Sequence, residues 1–185
     1  EKMMNVTGGA LTSSGTMMVI GSFTTGSLLG EFLNIEQLLE SFGNWLKAKT
    51  GNGSDPKFVE GFVTASLTVC IGAMAVVGSI RDGISGDYSI LAAKAVLDFI
   101  IILVMTASMG RGCIFSAIPV ALFQGLITAL ARVIAPLMTQ TALDNLSLTG
   151  SMLIFCVGVN LIWGKKVNVA NMLPTLIMAV AWAAF

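Results

Sequence analysis

The chain has 185 residues, no net formal charge, 55% hydrophobic and 11% charged residues, and a mean hydropathy of +0.87. A soluble domain carries about 25% charged residues, and a soluble fold of this length could not hide so much apolar surface. Zero net charge leaves no basic footprint for nucleic acid, and the absence of histidine removes imidazole from metal ligation and acid/base work.

Only helices or closed barrels satisfy the backbone in hydrocarbon, and a helix needs about 20 apolar residues to cross it. The apolar runs here are continuous, so they read as helices. Spans are expected at Gly15–Gly30, Phe58–Ile80, Ser89–Met109, Cys113–Leu137, Leu148–Gly164 and Asn168–Phe185. Lys2–Leu11 reads as the tail of an earlier helix. The fold class is thus an all-α polytopic transmembrane bundle in one domain, with about six to seven spans in this chain. The chain starts at Glu1 with neither an initiator methionine nor a signal-peptide pattern, so an N-terminal part is expected to be missing from this numbering.

Between the first two spans, Phe32, Leu33, Ile35, Leu38, Leu39, Phe42, Trp45 and Leu46 recur at helical spacing, with Glu36, Gln37, Glu40, Asn44 and Lys47 opposite. That pattern predicts an amphipathic helix over residues 32–49, lying at the membrane surface with Trp45 at headgroup level. If spans alternate, Lys47, Lys49, Lys57, Arg111, Lys165 and Lys166 share one side, against Arg81 and Arg132 on the other. The richer side should be cytoplasmic, which puts the C-terminus outside. Asp87 is expected to cap the helix that starts near Ser89.

Cys70, Cys113 and Cys156 sit in apolar runs without C-x-x-C spacing and read as small buried hydrophobes. Cys70 to Gly78 and Cys156 to Gly164 share the spacing C-x-G-x5-G. Three crossings separate them, so as a repeat they would be inverted, the arrangement that puts transporter sites at the midplane. Glycine-mediated helix packing produces the same spacing.

Polar residues inside the spans are the candidate pathway. Asp98 lies mid-span, where an isolated carboxylate costs several kcal/mol; Lys94, one turn earlier, either neutralises it or snorkels outward. Gln124 is central in its span, beside Gly125 and after Pro119; it reads as a polar lining or an interhelical hydrogen bond. Asn160 and Asn171 flank the last turn, where Pro174 breaks the final helix, a pattern like an unwound segment offering carbonyls to a solute. Glu31 and Glu60 lie at cytoplasmic helix ends, as interfacial charges or the mouth of a route to Asp98. No catalytic constellation, metal set or phosphate loop is present, so no enzyme activity and no cofactor are expected.

Gly21-Ser22 to Gly30-Glu31, Phe58-Val59-Glu60-Gly61-Phe62-Val63-Thr64-Ala65-Ser66-Leu67, Cys70 to Gly78, Ala93-Lys94 with Asp98, Pro119 to Gly125, Gly158-Val159-Asn160-Leu161 and Asn171 to Pro174 resemble the bacterial domain-of-unknown-function 554 family, the YdfK/YqgA-like inner-membrane proteins. The resemblance covers nearly the whole chain. It implies a polytopic inner-membrane protein with a further hydrophobic N-terminal segment, and it implies no substrate. Where the family commonly has glycine after Asp98, this chain has Phe99, a bulk that would narrow a cavity there.

Two functions remain. The first is a transporter or channel for a small solute or ion, lined by Asp98, Lys94, Gln124, Asn160, Asn171, Glu60 and Glu31. The alternative is a non-transporting scaffold or regulator acting through the amphipathic helix. The glycine face Gly21–Gly30 offers a homodimer contact, and the lipid bilayer is the other expected partner.

Overall fold

The computed structural model describes residues 4–7, 10–13 and 15–184. Strands β1 (Met4–Thr7) and β2 (Ala10–Ser13) pair antiparallel, with Thr7 opposite Ala10. Over residues 4–7 and 10–11 these strands replace the helical tail expected over Lys2–Leu11; Lys2, Met3, Gly8 and Gly9 lie outside the described residues. Val6, Thr7 and Thr12 are β-branched, so local preference opposes a helix there.

The rest is helical: α1 (Thr16–Leu33), α2 (Ile35–Lys49), α3 (Phe58–Cys70), α4 (Ala73–Ser85), α5 (Ser89–Met109), α6 (Ala117–Ala129), α7 (Ala131–Ile134), α8 (Gln140–Trp163) and α9 (Pro174–Ala181). Among the described residues, three segments are long and apolar enough to cross a membrane: Ser89–Met109, Arg111–Ala129 and Gln140–Trp163. α3 and α4 make a fourth if taken together, but they are bent by 63°. The expected count of six to seven is therefore supported only in part. α1 is diluted by three glycines, four internal hydroxyls and Glu31, and the segment Val169–Ala181 is too short to cross alone. Membrane embedding agrees with the outer faces: Phe99, Ile100, Leu103, Leu122 and Leu126 are exposed apolar residues on α5 and α6.

Boundaries moved where local chemistry intervened. The span expected over Phe58–Ile80 breaks at Ile71, whose backbone is extended, and Gly72. Pro119 lies in the first turn of α6, where its missing N–H costs nothing. Pro174 starts α9 at its first turn instead of breaking it. Asn34, in the left-handed conformation at φ 48°, separates α1 from α2, so the amphipathic helix begins at Ile35. Asp87 does accept from the Ser89 backbone N–H at 3.1 Å, as a capping acid should. The two C-x-G-x5-G copies differ locally, because the first spans the α3/α4 break and the second runs along unbroken α8 to its C-cap Gly164.

Small residues set the packing. An added Cβ at Gly26 would strike the Thr175 backbone and one at Gly30 the Asn171 carbonyl, so α1 lies directly on α9 and the turn before it. The glycine face offered to a second copy is thus occupied within the chain. One core joins Leu67, Ile71, Leu153, Val157 and Val169; a second, Leu46, Phe58 and Phe62, pins α2 to α3. Lys57 and Lys165 lie at one end of the bundle, and the Arg81–Asp87 contact, 3.6 Å, lies at the far end of α5. Cys113 is buried, its thiol 3.5 Å from the Gly61 carbonyl.

Candidate functional site

The break between α3 and α4 leaves the last carbonyls of α3 without intrahelical partners. Lys94 answers this. Its ammonium donates to the Val69 carbonyl at 2.9 Å and contacts the Asp98 carboxylate one turn along α5. Lys94 is only 7% exposed, so it points inward and does not snorkel. A cation at a helix C-terminus is also favoured by the helix dipole. The pair is neutral as a unit, and it fixes α5, whose only other buried residue is Met105, against the end of α3. Phe99 is 67% exposed on the outer face, so its bulk does not intrude beside the carboxylate.

Toward the lysine-rich end, α2, α3, α5 and the end of α8 line a partly open cavity of about 860 Å³. Val63, Leu67, Met105 and Val169 form its apolar wall; Glu36, Glu40, Glu60, Lys57, Lys165 and Asn160 supply its polar groups. Of the candidate pathway residues, Glu60 and Asn160 are on this wall, whereas Asp98, Lys94, Gln124, Asn171 and Glu31 are not. Asp98 precedes the wall residue Met105 by seven positions, about 10 Å along the helix. Gln124 sits half-buried on α6, which does not border the cavity.

The asparagines turn out to be connectors. Asn160 accepts from the Lys166 and Val167 backbone N–H groups at 2.9 and 3.0 Å and donates to the Val167 carbonyl at 2.7 Å. It thereby shapes the turn that presents Lys165. Asn171 is buried; its amide donates to Glu31 at 2.7 Å and its carbonyl accepts from the Glu36 backbone N–H at 2.8 Å. That bond satisfies one orphan donor in the first turn of α2 and ties it to α1 across Asn34.

Sequence reasoning missed a second polar cluster. The Lys165 Nζ lies 2.6 Å from both Glu36 Oε1 and Glu40 Oε1. Glu36 was placed on the outer polar face of the amphipathic helix, but it is only 8% exposed. A signal existed: two glutamates four residues apart repel each other unless a cation joins them. The two carboxylates, Glu36 first, hold the Lys165 ammonium above its ordinary pKa of 10.5.

A family model described as "Protein of unknown function (DUF554)" matches residues 3–184. The chain belongs to this family. It is 28% identical to the uncharacterized membrane protein YdfK of Bacillus subtilis, over 88% of this chain and 68% of YdfK. It is 30% identical to the uncharacterized protein YqgA of Escherichia coli, over 86% of this chain and 72% of YqgA. No solved structure matches. The family description assigns no activity, and a membrane location is supported by the apolar helices and by the name of the Bacillus subtilis relative.

In this DUF554 chain the Lys165 cluster has a defined pH dependence. A raised folded pKa means its contribution is complete below 10.5 and disappears as pH climbs through the raised value. Thermal melts in detergent should therefore show the wild type losing stability at alkaline pH more steeply than Lys165→Met. Parallel curves would remove the cluster from the stability account. Lys165 is half-exposed, so the expected difference is small.

Proposed function

We propose that the chain is a multi-pass transporter or channel for a small solute or ion in the bacterial inner membrane, and not an enzyme. The observation that carries this reading is the cavity of about 860 Å³ reaching from the charged end along α3 and α5 toward the helix break. Broken helices at membrane depth are tolerated where they line a cavity, and transporters build sites there. The 63° bend at Ile71-Gly72 is a natural hinge, and the Lys94–Asp98 pair lies beyond the cavity, about 10 Å along α5 from Met105, where the route would have to continue. The lysine-rich end, with Lys47, Lys57, Arg111 and Lys165, is read as cytoplasmic and the C-terminus as external. With no histidine in the chain, the hydroxyls on the cavity wall have no imidazole base, which favours passage over chemistry.

The test is flux in proteoliposomes across a panel of amines, amino acids and inorganic ions. Glu60→Gln is expected to lower flux of the accepted solute about tenfold, equivalent to one lost charge contact. Flux that Glu60→Gln leaves unaltered would exclude the cavity as the route. No flux for any solute by folded protein would reject transport and favour the exposed Leu38 and Trp45 of α2 as a partner surface.

A further inference from the structure

The Glu36–Glu40–Lys165 cluster is built like a ligand site that holds its own stand-in. Lys165 offers a primary ammonium, and two carboxylate oxygens receive it at 2.6 Å each. A third acceptor is idle: Glu36 Oε2 has no hydrogen-bond partner, in a residue 8% exposed on the cavity wall. A buried carboxylate oxygen left bare is costly. An ammonium carries three donors, and the tethered one spends two here. Lys165 follows Gly164, at φ 74°, on a turn outside α8, and its side chain is 54% exposed, so it can swing away without disturbing a helix. The wall then carries Glu36, Glu40 and Glu60 against Lys57 alone. Among the described residues no three histidine, cysteine or acidic side chains gather as a metal site, which favours an ammonium over a divalent ion.

We propose that Glu36 and Glu40 recognise the primary ammonium group of a small solute, and that Lys165 occupies this point until the solute displaces it. The proposal rests on the transport reading for its purpose, but binding can be measured without it.

The experiment is calorimetric titration of the full chain in nanodiscs at low salt with methylammonium, tetramethylammonium and sodium chloride. A tethered competitor acts at high effective concentration, so Lys165→Met should bind methylammonium at least about tenfold more tightly than wild type. Lys165→Arg keeps an occupant and should bind no more tightly than wild type. Glu36→Gln and Glu40→Gln, in the Lys165→Met background, should each weaken binding at least about tenfold. Circular dichroism confirms folding of each variant. Methylammonium bound no better than tetramethylammonium or sodium, or with equal affinity in the glutamine variants, overturns the proposal. Methylammonium binding without flux of any solute keeps the subsite and rejects transport. Flux of other solutes without methylammonium binding does the reverse.

Discussion

Lys94→Met is expected to destabilise the folded chain by about 3–5 kcal/mol, the cost of breaking a buried charge pair by removing one partner. The change strands the Asp98 carboxylate and bares the Val69 carbonyl at the helix break. Asp98→Asn should cost less, because the ammonium keeps the Val69 carbonyl and asparagine oxygen remains an acceptor. The double variant Lys94→Met/Asp98→Asn should recover much of the loss, since no uncompensated charge remains, and the coupling is read from a double-mutant cycle. Equilibrium unfolding in mixed micelles measures all three. Losses below about 1 kcal/mol in both single variants would place the pair in water, like an exposed salt bridge. The same proteins separate structure from passage. If the double variant folds and transports, the pair holds α5 to α3 and nothing more; if it folds and does not, Asp98 belongs to the route.

Gly30→Ala is the second large effect. A methyl group there collides with the Asn171 carbonyl, part of a rigid backbone turn. α1 must lift away, and Asn171 then loses its grip on Glu31 and on the N-terminus of α2. Overpacking costs of about 1–3 kcal/mol are usual, and the lost hydrogen bonds add to them. Gly26→Ala, facing the Thr175 backbone, should behave alike. Gly125→Ala and Gly158→Ala meet nothing within 4 Å. Alanine is favoured over glycine in helices by about 1 kcal/mol, so those two should be neutral or mildly stabilising. Equal melting shifts at all four positions would refute the view that α1 is seated by its glycines.

Much of the bundle was legible because hydrocarbon imposes so few solutions. Continuous apolar runs forced helices, and the helix over Ser89–Met109 appears at the expected residues. The boundaries that slipped were those set by single residues: the extended Ile71 and Gly72, the left-handed Asn34, and Pro174 at a helix start. The site was less legible. Asp98 and Lys94 were found, since any charge at mid-membrane demands explanation. Asn160 and Asn171 were found as polar residues, but their use as turn and cap depends on what they touch. Glu36 and Lys165 were read as ordinary surface charges because they stand 129 positions apart.

The sequence by itself determined a membrane bundle packed on small residues, with one charged pair midway along an apolar helix, because solvation in lipid acts on each segment independently. Only the tertiary structure decided which polar groups meet. It turned Lys94 inward, closed the glycine face of α1 with α9, and brought Lys165 onto Glu36 and Glu40. Those outcomes depend on long-range juxtaposition, which helical periodicity does not encode.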